Sequence, residues 1–184
     1  MQDLIKAARE VQDALESTGL PFCFIGGLAV LHWGEPRLTR DLDLTVLAGW
    51  GQEEKVVDTI LAVLQPRMEE ARAFALENRV LLLKSSGGIP IDLALGALPF
   101  EESATSRASN ISYTEIPLRI CTAEDLVIMK AFANRPRDWS DIRGIVLRQT
   151  ENLNTAYIMD QLTPLTAAKP EEPILERLNA VLVG

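Results

Sequence analysis

Thiols and imidazole are nearly missing from this chain: its 184 residues hold two cysteines and one histidine. Cys23 and Cys121 have no CxxC partner, so spacing supports neither a disulfide framework nor a zinc site. Both thiols stand in apolar, strand-like runs, and their expected state is reduced and buried. Long apolar stretches are also lacking, none approaching the roughly 20 residues that cross a bilayer. The opening Met1-Gln2-Asp3-Leu4-Ile5-Lys6 lacks the basic-then-apolar pattern of a secretion signal, and the cytoplasm is the expected compartment. Positive charge is scarce, with 18 lysines and arginines against 26 acids and a formal net charge of −8. Without a broad basic surface, sequence-independent binding to long nucleic acid is disfavoured. A single nucleotide needs only a local positive site, and a bound divalent ion supplies much of that charge.

What is present is an ordinary globular composition, 47 % hydrophobic and 24 % charged, in a chain long enough for one sizeable core, or for one core domain with a small helical appendage. Leu4, Ile5, Ala8, Val11 and Leu15 fall near helical spacing and predict a helix over 3–17, closed by Gly19. A strand over 22–26, a short helix over 27–33 and a strand around Asp41 follow. Gln52 to Leu64 reads as a helix ended by Pro66. Glu77 to Lys84 is strand-like, and Ser85-Ser86-Gly87-Gly88 turns it into Ile89–Leu95, so the two are expected to pair as a hairpin. A further strand or pair spans roughly 110–121. Thr122-Ala123-Glu124-Asp125 reads as a capping box, and everything beyond it is helical in character, broken at Pro136, Pro164 and Pro170–Pro173. The expected fold is α+β, a mixed sheet with flanking helices over 1–121 and a helical C-terminal portion over 122–184 packed on it.

The most telling run is Asp41-Leu42-Asp43-Leu44-Thr45-Val46. In a strand, residues two apart share a face, so Asp41 and Asp43 look the same way while Leu42, Leu44 and Val46 take the other side as core. Aspartate is disfavoured in strands, and two carboxylates at that spacing repel by roughly 2–3 kcal/mol at an effective dielectric of about 20. A divalent cation between them relieves the cost, and hard oxygen ligands suit Mg²⁺, which is commonly held by one or two carboxylates plus substrate phosphates. The bland alternative makes Arg37 and Arg40 the counterions of a surface cluster.

Asp92 alternates with apolar neighbours in Ile91-Asp92-Leu93 in the same manner. If its strand lies beside that of Asp41, three acids converge as a two-metal displacement requires; alternatively Asp92 pairs with a lysine such as Lys84. Upstream, Phe22-Cys23-Phe24-Ile25 runs into Gly26-Gly27 and a short helix. Such a turn brings backbone close to a ligand and aims free N–H groups at an anion, although Gly-Gly is also a common strand-to-helix turn.

Phe24-Ile25-Gly26-Gly27-Leu28-Ala29, Arg37-Leu38-Thr39-Arg40-Asp41-Leu42-Asp43-Leu44 and Ile91-Asp92-Leu93 together resemble the polymerase-β-like nucleotidyltransferase superfamily. In particular they are similar to the small bacterial branch that includes the AbiEii-type toxins of type IV toxin–antitoxin systems. The similarity extends to Lys130 and the run Arg135-Pro136-Arg137-Asp138-Trp139-Ser140-Asp141, covering roughly residues 20–145. The resemblance implies a nucleotidyltransferase core in which Gly26 and Gly27 hold the triphosphate. It also implies that Asp41 and Asp43 bind Mg²⁺, and that Asp92 completes the metal site and assists deprotonation of an acceptor hydroxyl. Leu28 stands where many members carry serine, so a hydroxyl contact to the β- and γ-phosphates is absent.

Lys130 lies among apolar residues, so its ammonium needs either an exit to water or an anion, and a phosphate would serve. Asp138 is expected to cap a helix, His32 to be packed or water-bonded, and Trp33, Trp50 and Trp139 to be core or domain-contact residues. The catalytic and metal set is therefore Asp41, Asp43 and Asp92, with Gly26, Gly27, Arg40 and Lys130 binding the nucleotide. The expected reaction moves an NMP from an NTP to an acceptor hydroxyl with Mg²⁺. The acceptor is open between RNA, protein and a small molecule of the aminoglycoside kind, with a non-catalytic nucleotide-binding module as the alternative. An antitoxin partner is a further implication of the resemblance.

Overall fold

Leu4, Ile5, Ala8, Val11 and Leu15 are all buried along one side of helix α1 (Gln2–Thr18), which stops at Gly19, where φ is 71°. Glycine takes that left-handed value without the Cβ conflict that other residues meet. The structure, a computed structural model, describes residues 1–183. Among these residues the chain continues through β1 (Phe22–Phe24), α2 (Gly26–Trp33), β2 (Leu42–Leu47), α3 (Glu53–Leu61), β3 (Gln65–Pro66), α4 (Ala71–Asn78), β4 (Val80–Lys84) and β5 (Pro90–Gly96). Then come α5 (Pro99–Arg107), β6 (Ser109–Tyr113), β7 (Ile116–Ile120), α6 (Ala123–Ala133), α7 (Pro136–Gln149), a 3₁₀ turn, α8 (Thr155–Thr166) and α9 (Ile174–Val183).

Two units divide the chain: Met1–Leu28 with Leu38–Cys121, and Ala29–Arg37 with the residues from Thr122 onward. The chain passes between them at three points: within α2, after Arg37 and after Cys121. The first unit carries a seven-stranded mixed sheet in the order β3-β4-β5-β2-β1-β7-β6. The expected hairpin is there as the antiparallel pair β4–β5. At the centre β2 and β5 run parallel, six residues deep, from Leu42 opposite Ile91 to Leu47 opposite Gly96. Leu42, Leu44 and Val46 of β2 and Ile91, Leu93 and Leu95 of β5 point into one buried layer. The other face carries Asp43 and Thr45 on β2 and Asp92, Ala94 and Gly96 on β5. A Cβ built on Gly96 would stand 3.0 Å from Thr45 Oγ1 and 3.2 Å from Glu101 of α5. Helix α5 therefore covers the far end of this face.

Helices α4 and α5 are absent from the sequence expectation. The start of α5 is fixed by Glu101, whose carboxylate accepts the N–H groups of Ala97 (2.8 Å) and Leu98 (2.9 Å), with Pro99 at the first helical position. Pro66 does not simply end α3. It forms with Gln65 a two-residue strand on the sheet edge, the position where a missing N–H costs least. In the helical unit Thr122 caps α6 as expected, its Oγ1 accepting from Asp125 N–H at 3.2 Å. Pro164 is no break, because α8 runs on to Thr166. Trp139 is fully buried, its indole N–H donating to Asn134 Oδ1 at 2.6 Å. Trp50 departs from the core expectation. It is 68 % exposed, in a loop between Gly49 and Gly51 at φ 71° and 77°, with the Arg79 guanidinium 4.5 Å from its ring. No helix among the described residues is long and apolar enough to cross a membrane.

Candidate active site

Parallel pairing of β2 with β5 sets Asp43 directly opposite Asp92. Residues so paired share a face at neighbouring-strand distance, about 4.8 Å in the hydrogen-bonding direction. Two like charges in register destabilise a sheet, and this pair sits on its two central strands. Asp41 lies one residue before β2, exposed, with Oδ1 accepting from Thr39 Oγ1 at 3.1 Å.

The glycine pair abuts these acids. Gly26 opens α2 at φ 58°, and a Cβ there would stand 2.0 Å from Asp43 Oδ2 and 2.6 Å from Asp43 Cβ. A Cβ on Gly27 would meet Thr39 Oγ1 at 2.2 Å, and the Gly27 N–H points to Asp43 Oδ2 at 3.4 Å. Sequence reasoning assigns these glycines to a phosphate. The structure adds a local reason: side chains at either position would push into the aspartate segment itself. Arg40 is exposed between Thr39 and Asp41.

Arg37 forms a two-pronged pair with Asp141, at 2.8 and 2.9 Å. Asp92 has a basic partner, but it is Arg67, with Nη2 to Oδ1 at 2.8 Å, rather than Lys84. Sequence reasoning missed Arg67 altogether. Among the described residues no three Asp, Glu, His or Cys side chains converge as they stand to enclose a metal ion. The donor chemistry nonetheless fits Mg²⁺: two in-register carboxylates, a third two positions along the chain, and no sulfur or imidazole among them.

Lys130 belongs to the helical unit, where its buried ammonium reaches Asp138 at 3.2 Å and Asp141 at 2.7 Å. The Asp-x-x-Asp run of α7 thus supplies the buried ammonium with anionic partners. Asp138 is not the helix cap either. Arg135 holds that position, and Asp138, one turn in, accepts from Arg135 Nε at 2.7 Å. Burial pushes the Asp141 carboxyl up, but hydrogen bonds and charge from Arg37 and Lys130 outweigh it and hold it below the ordinary carboxylate range. Segment Trp33–Arg37 lies along α7: Gln149 donates to Trp33 O (2.8 Å), Arg148 to Gly34 O, and Gly144 packs on Glu35. His32 is half-buried, and burial, with Arg148 nearby, lowers its pKa.

The family model described as the nucleotidyl transferase AbiEii toxin of type IV toxin–antitoxin systems matches residues 12–180. Among solved structures, the solution structure of the antibiotic-resistance factor ANT(2'')-Ia is similar with a TM-score of 0.60 at 16 % identity, over 92 % of this chain and 95 % of that one. The crystal structure of ANT(2'')-Ia in complex with adenylyl-2''-tobramycin gives 0.57 at 13 % identity, over 91 % and 99 %. An antigenic nucleotidyltransferase-like protein from Paracoccidioides brasiliensis gives 0.50 at 15 % identity, over 95 % and 90 %. At these identities the likeness is one of fold. No curated protein sequence matches the chain.

Proposed function

Because the chain belongs to the nucleotidyl transferase AbiEii toxin family and is a nucleotidyltransferase, we propose that it transfers an NMP from an NTP to an acceptor hydroxyl in a Mg²⁺-dependent reaction at Asp41, Asp43 and Asp92. The observation that carries the reading is the pairing of Asp43 with Asp92 on adjacent parallel strands, with the Gly26-Gly27 turn against Asp43.

In this reading the N-terminal turn of α2 and the exposed Arg40 receive the triphosphate, the helix end contributing oriented N–H groups. Asp41, Asp43 and Asp92 hold the metal, which when bound neutralises phosphate charge on both the entering and the leaving side. Asp92 takes the proton of the acceptor hydroxyl. The acceptor oxygen then bonds to the α-phosphorus, the bond from that phosphorus to its bridging oxygen breaks, and pyrophosphate departs with the electron pair. The protein contributes mainly alignment and preset charge, which together account for much of the rate gain in such transfers. An antitoxin partner belongs to the same reading, supported by the type IV description of the family.

The test incubates the protein with each α-labelled NTP, Mg²⁺ and cell extract, and follows label into RNA, protein or small molecules. Label is expected in one of these fractions with the native protein and in none with Asp43→Ala, while both melt as folded proteins. Undiminished transfer by Asp43→Ala would overturn the metal assignment.

A further inference from the structure

The sheet extends the aspartate pair into a longer transverse line. Asp43 pairs with Asp92, Asp92 pairs with Leu82 on β4, and the Arg67 N–H, just past β3, donates to Leu82 O at 2.9 Å. Side chains of directly paired residues share a face, so Arg67 stands at the outer end of the line that the two acids occupy at the centre. Its guanidinium reaches over half-buried Leu82 and delivers Nη2 to Asp92 Oδ1 at 2.8 Å. The arm that carries it is slight: β3 has two residues, and Arg67 follows Pro66 at the sheet edge. Arg67 and Asp92 are 34 % and 42 % exposed.

We propose that Arg67 is a tethered counterion that competes with the divalent metal for Asp92. The inference rests on the reading of Asp92 as a metal ligand. With the guanidinium on Oδ1, one of the two facing carboxylates is already neutralised, and the pair presents a weaker site to a free cation. A metal ion spanning Asp43 and Asp92 has to share the Asp92 charge with Arg67 or displace it. A nucleotide-bound ion arrives with phosphate oxygens as additional ligands and overcomes this contact, whereas a free ion has only the carboxylates. The arrangement tilts the site toward an ion that arrives with nucleotide. Exposed ion pairs are weak, so the competition is worth a factor of about five in metal affinity rather than orders of magnitude.

Mn²⁺ alone, titrated by electron paramagnetic resonance against the full chain without nucleotide, reads this directly. Arg67→Gln is expected to lower the Mn²⁺ Kd about fivefold, and Arg67→Lys, which keeps the charge but loses the planar fork, by less. Adding Asp92→Asn to Arg67→Gln is expected to erase the gain. If the native protein binds Mn²⁺ and Arg67→Gln binds it equally or more weakly, Arg67 is no competitor and the inference falls while the metal reading stands. If the native protein and Arg67→Gln both melt as folded proteins and neither binds Mn²⁺, the metal reading itself fails and takes the inference with it.

Discussion

Gly26→Ala is the sharpest perturbation of the site, and Gly19→Ala is its control. Both glycines sit in the left-handed region, at φ 58° and 71°, so alanine at either costs about 1–2 kcal/mol of backbone strain. For a chain of this size that lowers Tm by roughly 2–8 °C. At Gly19 a new methyl meets nothing within 4 Å, and strain is the whole effect. At Gly26 the methyl would lie 2.0 Å from Asp43 Oδ2, 2.5 Å from Cγ and 2.6 Å from Cβ. Rotating the carboxylate does not clear the last of these, because Cβ is fixed to the β2 backbone, so the turn and the strand must part. Overpacking of this kind costs about 1–3 kcal/mol more. A shift near 1 Å in a reacting group costs about 100-fold in rate. Gly19→Ala is therefore expected to transfer label at the native rate with a modestly lower Tm, and Gly26→Ala to melt lower still and transfer at least 100-fold more slowly. The labelled-NTP assay and a thermal melt measure both. A Gly26→Ala protein with native transfer and a Tm no lower than that of Gly19→Ala would refute the contact between the turn and Asp43 as the site's organising feature.

Two further outcomes follow from the helical unit. Lys130→Met leaves Asp138 and Asp141 buried without the ammonium they share, and with Arg37 and Arg135 as partial compensation the loss is about 3 kcal/mol, read as a lower urea midpoint. A variant as stable as the native protein would contradict the pairing. Asp141 has a folded pKa below its unfolded value of about 3.9, so its contribution is complete above that value and disappears as pH falls through the lower, folded one. The gap in urea midpoint between the native protein and Asp141→Asn is expected to hold steady from pH 6 to about 4.5 and to shrink below pH 4. A gap that does not change with acid would remove the ion-pair explanation.

Much of the fold is legible in the sequence because its signals are local. The α1 stripe, the Ser85–Gly88 turn and the Thr122 cap each depend on neighbours within a few positions. The aspartates are legible too, since alternation with Leu42, Leu44, Ile91 and Leu93 fixes which residues share a face. The register that sets Asp43 opposite Asp92 is not, because it comes from pairing of distant strands. Arg67 is invisible for a related reason: a two-residue strand after a helix leaves no periodic trace. For Lys130 the acids stand eight and eleven residues on in the sequence, but only the packing of α6 on α7 brings Asp138 and Asp141 to it. For Trp50 the flanking glycines carry the signal of an outward loop.

The order in which the chain leaves the ribosome gives the β2–β5 pairing a biological meaning. A growing chain carries the glycine turn and its first two acids well before Asp92 has been translated, and Asp92 finds its place only once β5 aligns with β2. On the proposed assignment, a chain that ends before β5 lacks Asp92 and its metal site stays incomplete, so truncated products and proteolytic remnants of that length are expected to transfer no label.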